Sequence, residues 1–276
     1  MKKRISIIIV IIFLCGINST WAAEQTEYVK LPIVMYHHIS KRPECWNDYV
    51  VSIEEFSSDM EYLNNMGWES ISVKELLAWY RGEFVMPEKP VIISFDDGFS
   101  SAVEYAEPIM KKYGFKGVAA IIGSVCEEYS LNGEYDPEWS ALSWEAARAM
   151  TERGVLEVQC HTWDLHEKDR TVGCSKRWGE NVEAYRRRLS GDLSKFIISC
   201  REKNVDHTYT IAYPFGAYDK STTEAVRDMG FEAAFTCTEK INILTGNKDE
   251  LYHLGRYNRP HGISSEKFFK NWENNY

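Results

Sequence analysis

Two acidic residues and two histidines in short motifs have the types and spacing to bind a metal ion and activate water. Asp96 and Asp97 directly follow an apolar run at residues 91–95. His161 directly follows another apolar run, and His166 comes five residues later. Two histidines and one carboxylate suit a hydrolytic divalent metal, usually zinc, with a fourth position open for water. Since a second carboxylate beside the ligands can accept the proton of that water, the four side chains predict a hydrolytic metal centre.

Each of these motifs, taken singly, also has a purely structural interpretation. An Asp-Gly pair after a strand is a strong turn signal, and a single histidine can simply be hydrogen-bonded in the core. Cys160 beside His161 could suggest a Cys/His zinc site, but adjacent strand residues point to opposite faces. The same alternation predicts that at least one of His37 and His38 faces away from any site. The functional interpretation depends on the coincidence of acids and histidines at several strand ends.

Short apolar runs alternate with helical patterns along the chain. Strands are predicted at residues 33–36, 91–95, 118–122, 156–160, 209–212 and 233–236, with a shorter one near 70–72. Helices are predicted at residues 53–66, 103–113, 144–153, 179–200, 221–229 and 264–272, and loops at 126–139 and 168–178. This alternation predicts a parallel sheet with helices outside, so the carboxyl ends of the strands bring the acids and histidines to one face.

The motifs resemble those of the polysaccharide deacetylases, carbohydrate esterase family 4, whose catalytic unit is the NodB-like domain. The sequence SFDDG at residues 94–98 is similar to the first motif of that family, and HTWDLH at residues 161–166 to the second. Most members space the two histidines by four. The spacing of five resembles the branch that deacetylates poly-β-1,6-N-acetylglucosamine of biofilm matrices, as does YPFG at residues 213–216. The sequence MYH at residues 35–37 also resembles the first strand of the family. The resemblance as a whole extends over residues 31–259.

The resemblance implies an α/β fold, a distorted (β/α)₇ barrel in a single domain, with a role for each motif residue. Asp97, His161 and His166 would bind a divalent metal, Zn²⁺ first with Co²⁺ or Ni²⁺ as alternatives, and Asp96 would be the general base. A backbone N–H in residues 213–215 would stabilise the oxyanion. The predicted substrate contacts are Tyr36, His37, Trp163, Tyr213, Pro214, Phe215 and Arg256.

Two features depart from the family pattern. Many members have an arginine where Ala212 stands, and it braces the catalytic aspartate, so here the brace must come from elsewhere. The Leu-x-His motif whose histidine protonates the leaving amine is also missing. Of the histidines in that part of the chain, His253 and His261, neither has a matching context; His253 is our candidate for the catalytic acid. Arg256 and Asn258 are candidates for residues that line the site.

The amino terminus has the pattern of a secretion signal. Three basic residues precede an apolar run at residues 5–15, and small residues follow at Thr20 and Ala22. We therefore predict a signal peptide at residues 1–22 and a deacetylase domain at residues 23–276, secreted or associated with the cell envelope in the periplasm or at the cell surface. An uncleaved anchor and a lipid on Cys15 are the alternatives. The sequence predicts no integral membrane domain after signal removal.

The net charge limits the class of binding partner, and the cysteine content bears on disulfide formation. The net charge is −9, and loss of the basic signal leaves about −12, which argues against nucleic acid or an anionic membrane surface. Six cysteines follow the signal without a CxxC pair, and disulfides are compatible with export, with the pairing left open. The expected partner is an extracellular amino-sugar polysaccharide; the oligomeric state is left open.

Three functions fit the motifs. The first is metal-dependent removal of N-acetyl groups from a β-linked N-acetylglucosamine polymer, with poly-β-1,6-N-acetylglucosamine ahead of peptidoglycan or chitin oligosaccharides. The second is hydrolysis of O-acetyl esters by the same centre. The third is a catalytically weak carbohydrate-binding matrix protein, suggested by the missing arginine and the unassigned acid.

Overall fold

The computed structural model describes residues 28–166 and 172–273, so the predicted signal peptide lies outside the described residues. The strands, in chain order, are β1 (Val29–Leu31), β2 (Ile33–Tyr36), β3 (His38–Ser40), β4 (Val50–Ser52), β5 (Glu69–Ser70), β6 (Pro90–Phe95), β7 (Gly117–Ile121), β8 (Leu156–Cys160), β9 (His207–Ala212), β10 (Ala233–Phe235), β11 (Asn242–Leu244) and β12 (Tyr257–Asn258). Seven of them form one parallel sheet in the order β10-β9-β8-β7-β6-β2-β12, and β5 pairs with the start of β6.

The last segment of this sheet closes it into a barrel. Leu254 exchanges backbone hydrogen bonds with β10, donating to Ala234 and accepting from Thr236. Three residues later the same segment has crossed to the other edge of the sheet, where β12 pairs in parallel with β2. The two edges are therefore joined by residues 254–258 alone. The structure confirms the predicted (β/α)₇ barrel in a single domain. The barrel is distorted because its seventh strand is only a short bridging segment.

Helices cover the outside of the barrel. They are α1 (Ile53–Asn65), α2 (Val73–Tyr80), α3 (Glu107–Tyr113), α4 (Gly123–Asn132), α5 (Trp144–Arg153), α6 (Val182–Glu202), α7 (Lys220–Asp228) and α8 (Ser265–Glu273). A π-helical turn, Ala102–Ala106, leads into α3, and short 3₁₀ turns lie at Pro43–Cys45, Pro214–Gly216 and Lys248–His253. Ser52 and Ser72 begin α1 and α2 with reciprocal capping boxes to Glu55 and Glu75, which satisfy the first free N–H groups of each helix.

The predicted strands agree with the structure to within two residues, whereas several other elements were missed. Residues 126–139 were predicted to be a loop, but α4 occupies much of that range. The helix buries only Gly123 and Cys126, so it has little apolar periodicity to detect. The closing strand β12 has two residues, too few for a pattern. Residues 172–178 are turns and loop as predicted, and residues 168–171 lie outside the described residues.

A buried ion pair ties the end of the chain to α1. Tyr36 packs edge-on against Phe56, with ring centroids 5.0 Å apart, and its hydroxyl donates to Asp59. Arg259 donates from Nε to the same carboxylate at 2.8 Å, and both charged side chains are fully buried. Because an unpaired buried charge is costly, this contact fixes the segment that follows the closing strand.

The six cysteines at positions 45, 126, 160, 174, 200 and 237 are all unpaired, so the disulfides that export would allow are not present. Within residues 28–166 and 172–273, none of the helices has both the length and the apolar character needed to cross a membrane.

Candidate active site

The carboxyl ends of the barrel strands surround a cavity of about 590 Å³. It is lined by Met35, His37, His38, Tyr49, Val50, Asp96, Asp97, Phe99, His161, His166, Phe215, Cys237 and Asn258. The fold therefore brings together both predicted acids, both predicted ligand histidines and two of the predicted substrate contacts, His37 and Phe215.

The turn after β6 holds Asp97 in a strained backbone conformation. Asp97 has a φ of 68° and Gly98 one of 74°, both in the left-handed region. A Cβ at Gly98 would lie 3.2 Å from Ile121 of the neighbouring strand, so glycine is favoured there for close packing as well as for its φ. A non-glycine residue in this region costs of order 1–3 kcal/mol and is typical of active sites. The turn places Asp96 in the buried base of the cavity and Asp97 at its partly exposed wall.

Three potential ligand atoms converge at this wall. Asp97 Oδ1 lies 3.4 Å from His161 Nε2 and 3.4 Å from His166 Nε2, and it has no hydrogen-bond partner although it is buried. Two ligands bonded to one zinc ion at 2.0–2.1 Å in tetrahedral geometry would be ~3.3 Å apart. His161 Nδ1 lies 2.9 Å from the Ala212 carbonyl, and donation to that oxygen leaves Nε2 free as a ligand. The residues present therefore fit a divalent metal.

A short turn supported by α6 accommodates the spacing of five between the histidines. Thr162 adopts a φ of 71°, and its Oγ1 accepts the Leu165 N–H. Asp192 of α6 accepts the N–H groups of Trp163 and Asp164, at 2.7 and 2.8 Å. Sequence reasoning missed Asp192, because no local motif links it to the histidines.

Arg256, predicted to contact substrate, does not line the cavity and instead forms an ion pair with Asp96. It is fully buried and donates two hydrogen bonds to Asp96, at 2.6 and 2.8 Å, and its Nε donates to the Thr236 carbonyl. Burial would raise the pKa of Asp96, but the Arg256 guanidinium overcomes it and holds the pKa well below its ordinary value. The segment that closes the barrel, residues 254–258, thus supplies an arginine to Asp96 although position 212 is an alanine.

His37 and His38 both contribute to the lining of the cavity, but their rings lie in different surroundings. His38 Nδ1 lies 2.9 Å from Ser101 Oγ, whereas the His37 ring is close to the two acids. His37 Nδ1 is buried without a hydrogen-bond partner, and its ring meets Tyr49 edge-on with centroids 4.9 Å apart. Burial lowers the pKa of His37, although the charges of Asp96 and Asp97 act in the opposite direction.

Several predicted contacts lie outside the cavity. Tyr36 is turned toward α1, and Tyr213 stacks on Tyr218 with centroids 4.8 Å apart. Trp163 packs under Lys195, and Pro214 is buried in the 3₁₀ turn. These residues support the walls without lining them.

His253 is not placed to act as the catalytic acid. It is exposed, and it lines a separate cavity with Lys240 and Asp249. It immediately precedes the closing segment, whereas the catalytic residues follow the carboxyl ends of their strands.

Sequence reasoning missed several lining residues. Phe99 follows the acid motif by two positions and could have been found from it. Tyr49, Val50 and Cys237 have no distinguishing local pattern and reach the cavity only through the way their segments pack.

The fold and this site define the class of protein. The family model for polysaccharide deacetylases matches residues 85–234, more than half of the chain, so the chain belongs to the polysaccharide deacetylase family.

Curated sequences and solved structures include relatives of this chain. The chain is 27% identical over 206 residues to a poly-β-1,6-N-acetyl-D-glucosamine N-deacetylase of Staphylococcus aureus, covering 74% of this chain and 66%, just under two thirds, of that protein. The structure of IcaB from Ammonifex degensii matches at 25% identity with a TM-score of 0.65, covering 82% of this chain and 90% of that one. A de-N-acetylase from Aggregatibacter actinomycetemcomitans matches at 20% identity and a TM-score of 0.72, over 89% of this chain and 99% of that one, which supports the fold.

Proposed function

We propose that this protein is a secreted, metal-dependent N-deacetylase of a β-linked N-acetylglucosamine polymer, with poly-β-1,6-N-acetylglucosamine as its substrate. The observation that carries the proposal is the convergence of Asp97, His161 and His166 on one point of the cavity, beside a buried and ionised Asp96. The named activity of the S. aureus relative supports the choice of polymer. The signal pattern at residues 1–22 supports export.

Asp97, His161 and His166 would hold the metal, Zn²⁺ before Co²⁺ or Ni²⁺. Bound there, a divalent metal lowers the pKa of water and polarises the amide carbonyl. Burial would lower the pKa of His161, but the Asp96 and Asp97 carboxylates raise it, so the site has the negative potential that favours a cation.

Asp96 is assigned as the general base. Its pKa lies well below neutrality, so it is ionised and able to take a proton from water at the pH of the reaction. Arg256 fixes the orientation of the carboxylate through two hydrogen bonds. The missing arginine at position 212 had suggested a protein that only binds carbohydrate. Because Arg256 forms the ion pair with Asp96 instead, that absence no longer favours a binding-only protein.

His37 is assigned as the acid that protonates the leaving amine, in place of His253. It lines the cavity with its Nδ1 unpaired, and the charges of Asp96 and Asp97 favour its protonated form against the effect of burial. For the oxyanion, Tyr213 N–H is bonded to Phe235 and Gly216 N–H to Tyr213, while Pro214 has no N–H. The Phe215 N–H is therefore the candidate donor in this segment.

The test is acetate release from β-1,6-linked N-acetylglucosamine oligomers by the purified protein, first with zinc and then with a chelator. We expect chelator-sensitive release from these oligomers, with less from chitin oligosaccharides, peptidoglycan fragments and acetylated xylan. Preferential release from the xylan ester would move the assignment to an esterase. Absence of release from every substrate by the zinc-loaded protein would overturn the proposal.

Two variants separate the roles of the adjacent acids. Asp97→Ala should lose both metal and activity, because it removes a ligand. Asp96→Asn should keep the metal and lose turnover by about 10²–10⁴-fold, the usual contribution of a general base. Metal content and acetate release measured on the same samples distinguish them, and full activity in Asp96→Asn would contradict the base assignment.

A further inference from the structure

An exposed tyrosine stands at the mouth of the cavity on a segment that no catalytic motif contains. The Tyr49 side chain is 59% exposed, yet it lines the cavity and meets the His37 ring. On the wall formed by the 213–216 turn, Phe215 is 39% exposed and its ring lies 4.3 Å from that of His166. Large rings that are exposed at a catalytic cavity, without covering a core of their own, are the surfaces that carbohydrate rings use for stacking.

The backbone around Tyr49 is held firmly in place. Its carbonyl accepts the His38 N–H at 3.1 Å, and its own N–H donates to the Asn47 side chain at 2.8 Å. Asn258, on the closing strand, donates through Nδ2 to the Asp48 carbonyl at 2.8 Å. The backbone that carries the ring is therefore in place before a substrate arrives, which reduces the entropy lost on binding.

A free polar acceptor lies in the same cavity. Asn258 Oδ1 is buried without a hydrogen-bond partner, and Asn258 lines the cavity together with Tyr49. A sugar presents apolar C–H faces and hydroxyl donors side by side, and an aromatic ring next to an amide oxygen complements both features. Buried polar atoms are normally paired, so the unpaired oxygen points to a donor supplied by a ligand.

We propose that Tyr49 and Asn258 form the subsite for the pyranose ring of the N-acetylhexosamine unit that is deacetylated. The Tyr49 ring stacks on the apolar face of the sugar, and Asn258 Oδ1 accepts a hydrogen bond from one of its hydroxyl groups. This proposal rests on the proposed deacetylase function and assigns Tyr49 as a substrate-binding residue, with the acetamido group directed toward Asp96 and Asp97.

The test compares Tyr49→Ala, Tyr49→Phe and a matched control. Tyr209 is also an exposed tyrosine in contact with a histidine, His207, with ring centroids 4.3 Å apart. It does not line the cavity, so Tyr209→Ala is the control. Binding of a β-1,6-linked N-acetylglucosamine pentasaccharide is measured by calorimetry, and KM and kcat are measured by acetate release. Tyr49→Ala should raise Kd and KM about tenfold with little change in kcat. Tyr49→Phe should recover most of that loss because it keeps the ring, and Tyr209→Ala should stay within about twofold of the wild type.

These measurements distinguish failure of the proposed subsite from failure of the proposed deacetylase function. Unchanged Kd and KM in Tyr49→Ala, with an active wild type, would overturn the subsite and leave the deacetylase assignment in place. A fall in kcat alone would show that Tyr49 only holds His37, which also overturns the subsite. If the wild type released no acetate, the function would fail, and calorimetry would still decide on Tyr49: weaker binding by Tyr49→Ala supports the subsite, while unchanged or undetectable binding overturns it.

Discussion

Asp96 is buried and remains ionised because Arg256 is buried with it. The arginine lies 160 positions further along the chain, on the segment that closes the barrel, and both side chains are at most 4% exposed. The strength of such a pair appears mainly when one partner is removed, since the remaining charge has neither water nor a counter-ion. At the residue scale, the ionised state of the proposed general base and the stability of the barrel closure therefore depend on the same two side chains.

Replacement of Arg256 by leucine should affect both stability and activity. We expect the free energy of unfolding, measured by urea denaturation, to fall by about 3–5 kcal/mol, with acetate release reduced in the folded protein. Arg259→Leu is the matched control, because it breaks the equally buried pair with Asp59 outside the cavity. The control should lose similar stability while its folded fraction keeps its turnover. Equal turnover in the two variants would contradict the role of Arg256 in positioning Asp96.

At the scale of elements, helix α6 fixes the turn that leads to His166, the second histidine of the proposed metal site. Asp192 lies in the middle of this helix and accepts two backbone N–H groups from the turn between His161 and His166. The turn also holds Thr162 in the left-handed region, a conformation that persists only when neighbouring contacts support it. The helix thus acts on the metal site without contributing a ligand.

Removal of the Asp192 carboxylate should therefore weaken metal binding. Asp192→Ala leaves the Trp163 and Asp164 N–H groups without their acceptor, and we expect metal affinity to fall about 10–100-fold, the usual effect of losing a group that orients ligands. Asp192→Asn retains one oxygen acceptor and should lose less. Titration with zinc against a competing chelator measures both variants. Wild-type affinity in Asp192→Ala would show that the turn is held by its other contacts.

At the scale of the whole molecule, a titrating group lies far from the catalytic end. Glu157 of β8 accepts the N–H groups of Val73 and Lys74 at the start of α2. Burial raises the pKa of Glu157 to about 7, so between its ordinary value and about 7 the folded state binds more protons than the unfolded state. The contribution of this group to stability is therefore complete at low pH and is lost as pH rises through about 7.

Glu157→Gln should remove this pH dependence, because the amide keeps an oxygen acceptor for the α2 N–H groups and carries no charge. We expect the variant to gain stability relative to the wild type between pH 5 and pH 8, by about 1–3 kcal/mol. Urea unfolding of both proteins at the two pH values measures the difference. A difference that does not change with pH would show that Glu157 has an ordinary pKa in the folded protein.

Much of the fold and the centre of the site could be predicted from the sequence. The buried parallel strands are continuous apolar runs, and Asp96, Asp97 and His161 directly follow such runs. The local pattern therefore predicts the strands and also places these three residues at their carboxyl ends. The family resemblance added the roles of these residues. The spacing of the two histidines was also readable, because both belong to one short segment.

Tertiary structure alone decided which residues complete the site. Arg256 lies on the bridging segment, whose strand β12 has two residues. Its position beside Asp96 follows from closure of the barrel, which no local sequence pattern predicts. His37 lines the cavity and His253 lines a separate one, a difference that no local pattern shows, and Tyr49 is brought to the cavity beside the pairing of β3 with β4. Such contacts depend on how distant segments pack in space, whereas sequence patterns report the local periodicity of a single element.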